Sequence, residues 1–210
     1  MTSPPKPDWM KDHGPGWREH SDRLIYDNPW ISVREYDAEA PTGARTIYGV
    51  VSFKNLAVGV LPIFDDGTVL LVGQRRFPLR DYSWEIPEGG VPVDRDPLEG
   101  ARRELREEAG LAASKWRRAL SFQLSNSVSD ECGHGFIATG LSEVAAEPEA
   151  TESFALARVP FGQALEQALC GRISDMITLA MLLRAYHMAR EGELPEPLAQ
   201  AMLQTAGRIA

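Results

Sequence analysis

Residues 1–20 show no apolar period and are rich in proline, glycine and charge, which predicts a flexible N-terminal arm. Beyond them, short β-branched and aromatic runs follow one another: RLIY at 23–26, WISVREY at 30–36 and RTIYGVVSF at 45–53. Such runs favour strands, so residues 21–54 read as a small β-subdomain ahead of a main domain at 55–210. In that main domain LAVGVLPIF, then Asp65-Asp66-Gly67, then TVLLVGQRRF predicts a hairpin of two strands covered on both faces. WRRALSF, GFIATGL and SFALARVP predict three further strands.

Two regions switch from strand-like runs to helical spacing. Residues 97–109 form the first, with Leu98, Ala101, Leu105 and Ala109 as its buried stripe. Asp96 can cap it, Pro97 suits its first position, Glu99 stands where a capping box places its acid, and Gly110 can take the left-handed stop. The second is the C-terminal tail, where FGQALEQALC, residues 175–189 and residues 198–209 read as helices. In the middle one, Met176, Leu179, Leu183 and Tyr186 are expected to line the core. Strands interleaved with helices define an α/β or α+β sandwich.

Composition narrows the function. With 22 Lys+Arg against 30 Asp+Glu the net charge is −8, which argues against extended nucleic acid or an anionic membrane as partner. No apolar stretch reaches the ~20 residues a membrane-spanning helix needs, and the first residues resemble no signal peptide, so a cytoplasmic protein is expected. Cys132 and Cys170 have no metal-type spacing and read as ordinary reduced thiols. His13, His20, His134 and His187 form no ligand pattern, and no Gly-Lys-Ser or Gly-Lys-Thr follows Pro87-Glu88-Gly89-Gly90 to make it an ATP-binding loop.

The chemistry gathers at 89–111. Glu104 and Glu108 stand four residues apart on one helix face, with Glu107 three from Glu104. Like charges at this spacing require arginines, water or a divalent cation to offset them, and an all-oxygen ligand set favours Mg²⁺ or Mn²⁺ over zinc. The bland alternative is a solvated helix in which Arg103 pairs with Glu99 and Glu107.

RELREEAGL at 103–111, preceded by Gly89, resembles the signature box of the Nudix hydrolases. That box reads Gly, five residues, Glu, seven residues, then Arg-Glu-aliphatic-any-Glu-Glu-any-Gly-aliphatic. Gly89, Arg103, Glu104, Leu105, Glu107, Glu108, Gly110 and Leu111 match it, whereas Arg95 stands where the first Glu belongs, flanked by Asp94 and Asp96. The resemblance implies a Nudix α/β/α sandwich with a mixed sheet. It also implies an enzyme that uses Mg²⁺ or Mn²⁺ and water to break a phosphoanhydride bond in a nucleoside diphosphate derivative. Glu104 and Glu108 would be the principal metal ligands and Glu107 a further one. The backbone carbonyl of Glu88 would ligate as well, and Arg103 would orient the glutamates by ion pairing.

GQRRF, SWEIPEGG, the box and SDE together resemble the subgroup that cleaves ADP-ribose and other nucleotide sugars, which implies a homodimer completed by the N-terminal sheet. Arg75, Arg76 and Arg80 suit phosphate oxygens, or else pair with acids at a strand end. Glu85 is a substrate-binding acid by resemblance or a salt-bridge partner. Trp30 and Trp84 either stack a base or sit half-buried in the core. Glu149 and Glu152 in a late segment, and Glu131 in SDE, are candidates for the catalytic base. Ser125-Asn126-Ser127 stands where ADP-ribose hydrolases tend to carry a proline, so GDP-mannose or another diphosphate remains open as substrate. A non-catalytic nucleotide-sugar binding protein and a hydrolase of RNA ends are the competing readings.

Overall fold

The computed structural model of the chain describes residues 5–146 and 153–206. They pack as two units, one formed by the chain up to Lys54 with Ser125–Asp130 and the other by the remainder.

In the first unit, β1 (Arg18–Asp27), β2 (Ile31–Glu39) and β3 (Arg45–Phe53) form an antiparallel sheet in that order. β1 therefore begins inside the stretch that composition assigns to the arm. The β1–β2 turn closes because Asn28 Oδ1 accepts from the backbone N–H groups of Trp30 and Ile31, both at 2.8 Å. Opposite charges face one another across the strands, among them Arg23 and Glu35 at 2.7 Å and Arg45 with Asp37. Residues 125–130 attach to the edge of β3, where Val51 N–H donates to Val128 O and Asp130 Oδ1 accepts from Phe53 N–H.

The second unit contains β4 (Asn55–Pro62), β5 (Thr68–Arg76), β6 (Asp81–Glu85), β7 (Glu88–Pro92), α1 (Pro97–Ala109), β8 (Leu111–Gln123), β9 (Cys132–Glu143), β10 (Ala155–Pro160), α2 (Phe161–Leu169), α3 (Met176–Arg190) and α4 (Glu196–Ala206). A four-stranded sheet runs β7-β4-β9-β8, parallel only between β4 and β9, and a three-stranded antiparallel sheet runs β10-β5-β6. Alternation along the strands builds two cores. Val58, Val60, Phe136 and Ala138 pack with Val91 and with Ala101, Leu105 and Ala109 of α1. Leu61, Ile63, Leu71 and Ile137 pack with Phe161 and Leu165 of α2, Met181 and Leu182 of α3, and Met202 of α4. Strands covered on both faces read as continuous apolar runs, which is why β4 lacks a polar face. The result is the mixed-sheet sandwich between helices that the sequence implied.

Two expectations about strand pairing and helix orientation fail. The turn at Asp65-Asp66-Gly67 forms, with Phe64 N–H on Thr68 O at 2.9 Å and Gly67 at φ 78°, but it does not make a hairpin. β4 and β5 share one isolated bridge, Ile63 to Val69, and then enter different sheets, because β7 and β9 flank β4 while β6 and β10 flank β5. In α3 the buried stripe is Ile177, Met181, Leu182, Ala185 and Met188; Met176 and Leu183 are exposed, and Leu179 and Tyr186 are partly buried beside it. The apolar residues run almost all round this helix, so spacing alone does not select the face.

α1 behaves as its ends dictate. Asp96 accepts from Leu98 N–H at 3.0 Å, and Gly110 takes the left-handed conformation at φ 62°. Glu99 does not complete a capping box; it pairs with Arg102 at 2.5 Å. No helix among the described residues is long and apolar enough to cross a membrane.

Glu193, after α3, joins Arg117 of β8 at 2.6 Å to Arg184 of α3 at 2.9 Å. The hydrogen bond from Arg184 holds its carboxyl below the usual glutamate range. A depressed folded pKa contributes stability above the unfolded value, which is lost as pH falls through the folded value. Wild type is thus expected to exceed Glu193→Gln in melting temperature at pH 7, with the gap closing as pH falls below about 4.5. A gap independent of pH in a thermal series refutes this linkage.

Candidate active site

The turn between β6 and β7 is fixed by its backbone. Ile86 N–H donates to the buried Thr178 Oγ1 at 2.9 Å, and Pro87 O accepts from Val60 N–H at 2.8 Å. α1 crosses this turn and brings two buried carboxylates, Glu104 and Glu108, against it. A Cβ on Gly89 would fall on the Glu104 carboxylate, so any side chain there would displace it. Glu108 Oε2 accepts from Glu88 N–H at 3.0 Å. Arg103 donates to Gly90 O at 2.9 Å, to Glu107 Oε2 at 3.2 Å and to Glu104, gathering two of the three box glutamates with the strand beside them. Glu99 is not its partner. The helix is not a solvated charge ladder, since Glu104 and Glu108 face inward.

A second group of acids lies at the same turn. Arg76, from the end of β5, donates to both oxygens of Glu85, the shortest contact being 2.6 Å, and to Glu88 Oε1 at 2.6 Å. Asp175 joins them from the start of α3, where it accepts from Thr178 N–H at 2.7 Å, and carboxylate oxygens of Glu85, Glu88 and Asp175 lie within 4.8 Å of one another. Burial works against the Arg76 charge, but the hydrogen bond to Glu85 and the charges of Glu88 and Asp175 raise its pKa overall. Burial, then the charges of Asp175 and Glu85, push the Glu88 carboxyl well above the glutamate range, with Arg76 opposing.

The three arginines thus part company. Arg76 is held by acids, whereas Arg75 and Arg80 are exposed and make no ion pair with a described residue. Arg80 closes the β5–β6 turn at φ 55°, its N–H on Arg76 O. Trp30 is 66% exposed, so the half-buried role fails for it; Trp84 is partly buried, edge-on to Tyr82 at 5.8 Å. Glu131 lies just before β9 with its carbonyl accepting from Leu124 N–H at 2.8 Å. Glu149 and Glu152 lie outside the described residues. Arg95 sits exposed in the turn before α1, so its replacement of the box's first Glu adds no cation among the buried carboxylates. Sequence reasoning missed Asp175 and Thr178: an acid ahead of an apolar helical run announces a cap, and nothing local says which turn that cap meets.

The donor set of Glu104, Glu107, Glu108 and the Glu88 carbonyl consists of oxygens alone, and the burial of Glu104 and Glu108 demands compensating positive charge. These residues fit a hard divalent cation.

A family model described as the NUDIX domain matches residues 53–177, and one described as the nucleoside diphosphate sugar hydrolase N-terminal domain matches residues 17–51. The chain is 34% identical over 182 residues to a Mycobacterium tuberculosis protein named ADP-ribose pyrophosphatase, covering 85% of this chain and 87% of the relative. A Streptomyces rubellomurinus protein named CMP-5'-(N-acetyl-N-hydroxy-3-aminopropyl)phosphonate hydrolase is 28% identical over 156 residues, covering 74% of this chain and 75% of the relative. A crystal structure titled as an ADP compounds hydrolase shares the fold, with a TM-score of 0.73 at 18% identity, over 88% of this chain and all of that one.

Removing Arg76 leaves Glu85, whose side chain is 3% exposed, without its ion-pair partner. Arg76→Met is expected to cost about 2 kcal/mol, below the ~3–5 kcal/mol of a fully buried pair because the arginine itself is partly exposed. Arg75→Ala and Arg80→Ala should stay within about 0.5 kcal/mol of wild type. Urea unfolding of the three variants checks this, and equal losses would erase the distinction.

Proposed function

The chain belongs to the NUDIX domain family, and we propose that it hydrolyses the pyrophosphate bond of ADP-ribose or a related nucleotide sugar, using Mg²⁺ or Mn²⁺. The observation that carries this reading is the box itself, with Arg103 gathering Glu104 and Glu107 while Glu108 faces the Glu88 backbone. The paired match of an NDP-sugar hydrolase N-terminal domain and a NUDIX domain supports the substrate class.

In the reaction a water oxygen bonds to one phosphorus, the bridging P–O bond breaks, and the products are a nucleoside monophosphate and a sugar phosphate. A divalent cation held by Glu104, Glu107, Glu108 and the Glu88 carbonyl would neutralise phosphate oxygens and lower the pKa of a bound water. Arg103 keeps two of the carboxylates in place and fixes their geometry before substrate arrives. Arg75 and Arg80, which no acid among the described residues holds, are the guanidinium groups available to an anionic substrate, and Glu149, Glu152 or Glu131 accepts the proton from water. Glu85 then acts through its pair with Arg76. The small N-terminal sheet exposes Leu24, Ile25, Tyr26 and Ile47, which suits a homodimer in which that sheet meets a second copy.

A second reading keeps the enzyme and changes the leaving group. The similarity to a relative named for hydrolysis of a CMP-linked phosphonate supports other nucleotide-linked substrates on the same machinery.

Offered ADP-ribose, GDP-mannose and a CMP-linked phosphonate with Mg²⁺, the protein is expected to yield AMP and ribose 5-phosphate fastest, as read by anion-exchange chromatography. Glu108→Gln should reduce kcat by about 100-fold or more with the fold retained by circular dichroism. Undiminished turnover in that variant would falsify the ligand assignment, and faster release of GMP or CMP would favour the second reading.

A further inference from the structure

We propose that Glu85, Glu88 and Asp175 form a second divalent-cation site, distinct from the box carboxylates, that fastens the start of α3 to the β6–β7 turn. Its three carboxylates come from three elements, the ends of β6 and β7 and the residue ahead of α3, and present oxygens within 4.8 Å of one another. Oxygens that share one Ca²⁺-sized ion at about 2.3–2.6 Å lie no more than about 5 Å apart, so all three can reach a common ion.

Proximity of acids alone would not make a site. The independent sign is Glu88 Oε2, which is buried and accepts no hydrogen bond, on a side chain only 12% exposed. The same carboxyl commits Oε1 to Arg76, so its geometry is fixed and the second oxygen still lacks a donor. A buried acceptor without a donor is costly, and in native proteins such an atom commonly marks a ligand or ion. Charge points the same way. With all three ionised, three carboxylates against the one guanidinium of Arg76 would leave two negative charges, the number that a divalent cation cancels. Arg76 and Gln74 fill Oε2 of Glu85, but Oε1 takes a single contact from Arg76 and keeps a lone pair, and the cap to Thr178 N–H occupies one oxygen of Asp175 and leaves the other. The all-oxygen set excludes soft metals, and water would complete the shell.

Such an ion would hold the turn that carries the Glu88 carbonyl and the N–H bonded to Glu108, but it does not rest on the hydrolase reading. The test counts Mn²⁺ by the electron paramagnetic resonance of the free ion. Glu104→Gln/Glu107→Gln/Glu108→Gln removes the box carboxylates and is expected to retain one bound Mn²⁺, with a melting temperature that rises on adding Mn²⁺. Adding Asp175→Asn, which keeps the cap because an amide oxygen also accepts from Thr178 N–H, should weaken that Mn²⁺ by about 100-fold and abolish the rise. Glu88→Gln in the same background leaves the cap untouched and should show the same loss. Equal Mn²⁺ binding with and without these substitutions overturns the site, as does failure of the folded box variant to retain any Mn²⁺. Neither result touches the hydrolase reading, which stands or falls on turnover.

Discussion

Glu104 and Glu108 are carboxylates on the buried side of α1, among Gly100, Ala101, Leu105 and Ala109, and their compensation organises the surrounding structure. Each would be expensive to desolvate alone. Arg103 reaches across to Glu104 and to the carbonyl of Gly90, and the backbone N–H of Glu88 meets Glu108, so one guanidinium and one strand supply part of the offset. Gly89 and Gly100 permit the approach, since a Cβ on the first would meet Glu104 and on the second Val91. Helix, strand and turn are thus held in one arrangement by the same demand that makes the site chemically useful.

The same turn carries a second compensated charge. Glu85 is buried because it ends β6 where Ile86 enters the core, and Arg76 follows it there from β5, the neighbouring strand. Arg76 is therefore part of the framework, while Arg75 and Arg80, close by in sequence, point their charge to solvent. In sequence the three arginines are equivalent. Strand alternation and a turn residue at positive φ separate them.

Much of this was legible from local pattern. Helix α1 could be bounded because Asp96, Pro97 and Gly110 act on groups within a few residues of themselves, and its Leu105 stripe follows from a 3.6-residue period. The box glutamates could be placed on one helix for the same reason. The β4–β5 pairing and the buried face of α3 were misread. Two strands joined by a good turn need not pair when each is apolar on both faces and has other neighbours, and a helix apolar nearly all round offers no moment to orient it.

By itself the sequence determined the helices, most of the strands though not the short β6 and β7, the signature box and the family it signals, because these depend on short spacings and on residue types whose chemistry is intrinsic. Only the tertiary structure decided which acids meet. Asp175 and Thr178 lie some ninety residues beyond Glu85 and Ile86, and Ile86 N–H reaches Thr178 Oγ1 only once α3 packs against the turn between β6 and β7. Long-range contact is set by the packing of whole elements, whose faces are chosen by the total burial of apolar surface. No window of sequence contains that sum.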